Sequence, residues 1–309
     1  MILAKEILDR IGALRNDNSS GAGALAEVAG EILTRVVDLG RSVPSLELRS
    51  RILAAGKAII KAQPAMAPVY TIVNDVLGTL AEVGNDADLA GRIRERAHTF
   101  SAALRAASEA AALNAASLIS EGSTVVTHSR SSVVEGALRR AAQEGKTFSV
   151  VCTESRPTGE GRELAESLSS AGISTTLVID AAVPSFVTKD TVVMVGADAL
   201  SVHGLVNKIG TRVLALTAHT VRIPMYVATT THRFLPSTVP LSYQAIKDPK
   251  EISGSARVPY STVNLYFDCT PINEITACAT ERSLLDLQGL LDVLSAWRIR
   301  QSLDLEACG

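Results

Sequence analysis

The sequence predicts a two-domain α/β chain: a helical bundle over residues 1–120, then a Rossmann-like, doubly wound parallel-sheet domain over residues 121–309. Three observations carry this. At 309 residues the chain is longer than one hydrophobic core normally serves. Up to about Ile119, Ala, Leu, Glu and Arg dominate and apolar residues recur at helical spacing. From about Gly122 that period gives way to short β-branched runs, each followed by a helical stretch, which is the pattern of βα units around a parallel sheet.

Ile2, Ile7, Leu8, Ile11 and Leu14 make the first helical stripe, and Leu25, Val28, Ile32, Val36 and Val37 the second. Between them Asn18, Ser19 and Ser20 offer capping groups ahead of Gly21, Ala22 and Gly23, so a helix is expected to start there with its amides exposed. Apolar sets over 46–60, 66–80 and 89–119 complete a bundle of about five helices. Strands are expected at 124–127, 149–152, 175–179, 192–195 and 225–228, with helices after most of them, and right-handed crossovers make a doubly wound sheet the economical arrangement. Residues 236–259, with four prolines, read as a surface excursion before 263–268 returns to the sheet.

Composition narrows the function. Apolar residues at 47% and charged residues at 20% suffice for packed interiors and a solvated surface. The net charge is −2 and no Lys/Arg run is long enough to track a phosphate backbone, so neither nucleic acid nor a membrane surface is expected as a partner. Apolar stretches break well short of the ~18 residues a span needs, so a cytoplasmic protein is expected. Cys152, Cys269, Cys278 and Cys308 are scattered, with no CxxC pair and no His cluster beside them. They read as free thiols, and no metal or cofactor is expected.

In open parallel sheets, ligands bind beyond the carboxyl ends of the strands, where loop amides and helix N-termini converge. Those ends are polar here: Thr127, His128, Ser129, Arg130 and Ser131 after the first strand; Thr153, Glu154, Ser155 and Arg156 after the second; Asp180 after the third; Gly196, Ala197 and Asp198 after the fourth. Asn207, Lys208, Ile209 and Gly210 are expected to open another helix nearby. Such a set suits a phosphorylated small molecule. Individually each residue has a plainer reading. Asp180 is either a helix cap before Ala181 or a ligand contact, and His128 either a structural hydrogen-bonder or a base. Lys208 is a solvated helix residue or a ligand contact, while His203, His219 and His232 lack metal-ligand spacing.

The segments VVTHSRSSVV (125–134), VCTESRPTGEGRELAESL (151–168), GISTTLVIDAAV (172–183), VMVGADALSVHGLVNKIGT (193–211) and FDCTP (267–271), with a later Thr280–Glu281 pair, occur in this order. Together they resemble the alpha, beta and delta subunits of eukaryotic translation initiation factor 2B, a family that includes methylthioribose-1-phosphate isomerase and ribose-1,5-bisphosphate isomerase. SSGAGALAEVA (19–29) and QPAMAP (63–68) extend the likeness into the first domain. The resemblance implies a sugar-phosphate pocket at the strand ends and the interdomain cleft. Arg156 and Lys208 would meet phosphate, Asn207 phosphate or sugar, and Asp198 the sugar carbons. The amides around Gly21 and Gly23 would help hold a phosphate, and Arg130 joins the substrate-binding set. It also implies a homodimer or higher assembly.

Two departures bear on activity. The catalytic relatives carry an Arg before the glycine segment, where this chain has Ser20, and a Cys after the TH pair, where it has Ser129. A thiol, with a reference pKa of about 8.5, can be tuned to ionise near neutrality; a serine hydroxyl needs a dedicated base. Ser129 matches the regulatory alpha subunit, whereas Asp198 matches the isomerases. Two readings follow. One is a regulatory protein that binds a phosphorylated pentose, is weakly or not catalytic, and has the translation initiation GTPase machinery as a partner. The other is an aldose-1-phosphate to ketose-1-phosphate isomerase with Asp198 as acid/base and Ser129 or His128 in the thiol's place.

Overall fold

The computed structural model describes residues 3–82, 88–254 and 259–298; Ile2, Val258 and Cys308 lie outside them. The chain divides into two compact units, one of residues through Ala106 together with Arg298, and one of Ala107–Trp297. The first holds helices α1 (Lys5–Asn16), α2 (Ala22–Leu39), α3 (Ser45–Ala62), α4 (Ala67–Glu82) and the start of α5 (Leu89–Ala116). Ile7, Ile11 and Leu14 of the first expected stripe are buried, as are Leu25, Ile32, Val36 and Val37 of the second, while Leu8 and Val28 face solvent. Ser19 and Ser20 do not cap α2. Asp17 Oδ1 accepts from both of their amides, at 3.0 and 2.9 Å, because a carboxylate just upstream is a stronger acceptor than a hydroxyl. The N-cap falls on Gly21, with no side chain on the first amides of α2.

In the second unit the order is β1 (Thr124–Thr127), α6 (Ser132–Gln143), β2 (Ser149–Thr153), α7 (Glu160–Ser170), β3 (Ser174–Val178), α8 (Val183–Phe186), β4 (Thr191–Val195), β5 (Ala199–Ser201), β6 (Gly204–Lys208), α9 (Thr211–Val221), β7 (Met225–Ala228), α10 (Lys250–Ser253), β8 (Phe267–Thr270), β9 (Ala277–Ala279), β10 (Leu284–Asp286) and α11 (Leu287–Ala296). The main sheet runs β10-β9-β7-β4-β1-β2-β3 and is parallel apart from β10. This is the doubly wound arrangement the βα pattern predicts. Val125, Val150, Cys152 and Met194 pack on one face with α6, α7 and the end of α5. Val126, Val151, Val193 and Val195 pack on the other with α8, α9 and α11. Burial on both faces is why these strands read as continuous β-branched runs.

Two expectations are corrected. The stretch near 268 does not return to the main sheet: β8 pairs antiparallel with β6, Asn207 opposite Asp268 and Lys208 opposite Phe267, in a separate sheet β5-β6-β8. Asn207 and Lys208 therefore lie on a strand and do not open a helix. The cause is the hairpin 199–208, turned at Gly204 with φ +140°, a conformation that glycine alone takes readily. Helix α9 begins only at Thr211, after Gly210 at φ +107°.

Candidate functional site

Parallel register places the carboxyl ends of β1, β2 and β3 at one level, with Thr127 beside Cys152 and Thr153 beside Val178. Immediately beyond β1 and β2 the chain turns through the left-handed region at Ser129 (φ +67°) and Ser155 (φ +63°). Non-glycine residues held there mark backbone whose surroundings over-determine it. The holding contacts are explicit. Ser129 N donates to Ser155 Oγ at 2.7 Å, and the amides of Ser155 and Arg156 donate to Asp180 Oδ1 and Oδ2 at 2.7 and 2.8 Å. Asp180 is thus not the cap of its own short helix; its carboxylate fixes the loop after β2.

His128 is built into the same scaffold. Its Nε2 lies 2.7 Å from the carbonyl of Ile209, which can only accept, so that nitrogen carries the proton, while Nδ1 sits 2.6 Å from Thr153 Oγ1. Burial pushes its pKa below the usual value. With both nitrogens engaged, His128 is a structural brace from β1 to β2 and to the loop before α9. A Cβ on Gly210 would lie 2.9 Å from its ring.

Helix α7 starts against the end of β2. A Cβ on Gly161 would fall 1.8 Å from the carbonyl oxygen of Thr153, so only glycine lets the helix approach this far. The approach delivers Glu160, which the sequence reading passed over, into the centre of the cluster. Its Oε1 accepts from Ser129 Oγ at 3.0 Å and pairs with Lys208 Nζ at 2.8 Å, and its Oε2 accepts from Thr158 Oγ1. Lys208, buried, also donates to Thr158 Oγ1 at 2.7 Å and lies over the Tyr266 ring, 4.6 Å from its centroid.

Asp198, partly exposed just past β4, donates its amide to Val206 O at 2.9 Å. Burial pushes its carboxyl up to about 6; Arg233 and Lys208 pull it back and Glu160 pushes it further. Lys208 thus acts on both carboxylates of the site. Arg233, buried in the loop after β7, donates to Thr230 Oγ1 at 3.1 Å. Its loop is held by Glu281, which accepts from Thr231 N at 2.9 Å and from the Thr231 hydroxyl. Neither Arg233, in the loop after β7, nor Glu160, at the start of α7, is among the residues that the sequence singles out, because their partners Thr230, Ser129 and Lys208 are brought to them only by the fold.

The remaining residues divide. Asn207 is buried and donates to Thr211 Oγ1 at 3.0 Å, tying β6 to α9. Asp268 Oδ2 accepts from the amides of Gly210 and Arg212 at 2.8 and 3.1 Å and caps α9; burial pushes its carboxyl to about 6 against those two amides. Arg130 is exposed and held by Glu163 at 2.8 Å and Glu135 at 3.4 Å. Arg156 is exposed, follows Ser155 through a loop with a cis Arg156–Pro157 bond, and its guanidinium makes no hydrogen bond or ion pair among the described residues. Gly21 and Gly23 lie at the start of α2, in the first unit. Cys152 and Cys278 are buried free thiols, the former pushed to about 12 by burial. Among the described residues no helix is long and apolar enough to cross a membrane.

Residues 18–286 match the initiation factor 2 subunit family. The ribose 1,5-bisphosphate isomerase of Methanocaldococcus jannaschii is 32% identical over 295 residues, 94% of this chain and 93% of that one. The crystal structure of the Pyrococcus horikoshii OT3 translation initiation factor eIF-2B superposes with a TM-score of 0.79 at 29% identity, covering 92% of this chain and 98% of that one. The 5-methylthioribose 1-phosphate isomerase from Pyrococcus horikoshii OT3, at 22% identity and TM-score 0.73 over 93% and 88% of the two chains, shares the fold.

Proposed function

This chain belongs to the initiation factor 2 subunit family, and from that premise we propose that it binds a phosphorylated pentose-like sugar at the strand ends of its second unit and interconverts the aldose and ketose forms. The observation that carries the reading is Asp198. Opening a sugar ring and moving a proton from C2 to C1 needs a group that gives and takes a proton near neutrality. A carboxyl raised to about 6, with Lys208 and Arg233 nearby to stabilise its anion, has that property, and such shifts concentrate at functional sites. Net, the reaction transfers hydrogen within the substrate and requires no external oxidant.

A second reading, a sugar-phosphate-responsive regulatory subunit, is favoured by Ser129, where the isomerases carry a thiol. Both readings place a ligand on the same residues. The test is a panel of aldose phosphates followed by NMR for ketose formation, alongside thermal shifts. The isomerase reading expects turnover by the wild type that falls by about 10²–10⁴-fold in Asp198→Asn. Thermal stabilisation without turnover, and turnover appearing in Ser129→Cys, supports the regulatory reading.

A further inference from the structure

Of the three strand-end cations Arg130, Arg156 and Lys208, carboxylates already hold two. Arg130 is on the rim with Glu163 and Glu135. Lys208 is the informative one, because its environment is complete: Glu160 Oε1 at 2.8 Å, Thr158 Oγ1 at 2.7 Å and the face of Tyr266 at 4.6 Å account for its ammonium. The Lys208 side chain is 5% exposed and that of Glu160 19%. A phosphate dianion brought to this lysine would stand beside the Glu160 carboxylate with little water between them, where like charges oppose one another strongly.

A neutral hydroxyl meets no such opposition. An ionised carboxylate has about four acceptor positions, and Ser129, Lys208 and Thr158 occupy three of those on Glu160. One position remains for a ligand hydroxyl, and Ser129 Oγ, which donates to Glu160, can still accept from another. Acceptors and donors so closely interleaved fit a run of sugar hydroxyls. Arg156, exposed and without a carboxylate partner among the described residues, is left as the strand-end cation for a phosphate.

Building on the sugar-phosphate reading above, we infer that Glu160 is a specificity-determining residue: it makes the Lys208 end of the site a hydroxyl-reading subsite and selects sugars with a single phosphate over sugars phosphorylated at both ends. Glu160→Gln keeps the shape and most hydrogen bonds but removes the charge that opposes a second phosphate.

The test is calorimetric titration of the full chain, wild type and Glu160→Gln, with ribose 1-phosphate, ribose 5-phosphate and ribose 1,5-bisphosphate at fixed salt near neutral pH. Wild type should bind the better monophosphate at least about tenfold more tightly than the bisphosphate, and Glu160→Gln should shrink that ratio by at least about tenfold by tightening the bisphosphate, as one released charge-assisted bond allows. Wild type that binds the bisphosphate as well as the monophosphates overturns the inference while leaving the sugar-phosphate reading intact. An unchanged ratio in Glu160→Gln does the same. Binding of none of the three by wild type removes the sugar-phosphate reading and this inference together. Should the variant fail to fold, the wild-type ratio decides alone.

Discussion

Asp198→Asn should stabilise the protein while removing its chemistry. In the folded chain burial raises this carboxyl from its ordinary 3.8 to about 6. Between those values the folded state binds the proton more tightly than the unfolded state does, so the contribution of this group is fully present below about pH 4 and is lost as pH rises through about 6. At neutral pH the ionised form therefore costs the fold up to about 3 kcal/mol, at ~1.4 kcal/mol per pH unit of displacement. Asn carries no such penalty. The variant's advantage should be on the order of 1–2 kcal/mol at pH 5 and about 3 kcal/mol above pH 7. At ~2 °C per kcal/mol for a chain of this size, that is a rise in Tm of about 3 °C at the lower pH and about 6 °C at the higher. Thermal melts of both proteins across pH 5–8 measure the difference directly, and subtraction cancels the similarly raised Asp268. A variant no more stable than wild type at pH 7.5, or an advantage that does not grow with pH, would refute the claim that Asp198 is held in a costly, proton-ready state.

The other predictions concern neighbouring parts of the molecule. Arg156→Ala should leave the unliganded Tm within the ±0.5 kcal/mol or so typical of surface changes, yet abolish most of the roughly 2.7 kcal/mol stabilisation that a sugar phosphate at a hundred times its Kd confers; differential scanning fluorimetry reads both. Gly161→Ala drives a methyl into the Thr153 carbonyl, 1.8 Å away. It should cost about 1–3 kcal/mol or more, seen as a ~2–6 °C fall in Tm, together with loss of ligand binding as Glu160 is displaced. Light scattering at micromolar concentration should report at least a dimer. Val263 is an apolar side chain 63% exposed, so Val263→Asp should shift the population towards monomer; a wild-type monomer would remove the assembly proposal.

Much of this arrangement was legible in the sequence. The change from a 3.6-residue period to β-branched runs near Gly122 separated helical from sheet-forming stretches, and Val125–Val126 and Val192–Val195 could be read as strands because a parallel sheet buried on both faces demands apolar residues at every position. The polar residues after those strands were equally visible, since strand ends are where a doubly wound sheet presents loops. Short elements were not legible. The hairpin 199–208 is made of strands of three and five residues, below the length at which periodicity speaks, so Asn207 and Lys208 were placed on a helix start. The role of each polar side chain depended on partners far away in sequence. Asp180 is explained by amides 24 and 25 residues earlier, His128 by Ile209 81 residues later, and Lys208 by Thr158 50 residues before it. The sequence alone determined which residues crowd the ends of the strands, because patterning is local. Only the tertiary structure decided that Lys208 belongs to Glu160, that His128 is a brace and that the Asp198 carboxyl is raised well above its ordinary value, because burial and charge at a site are set by every element that converges there.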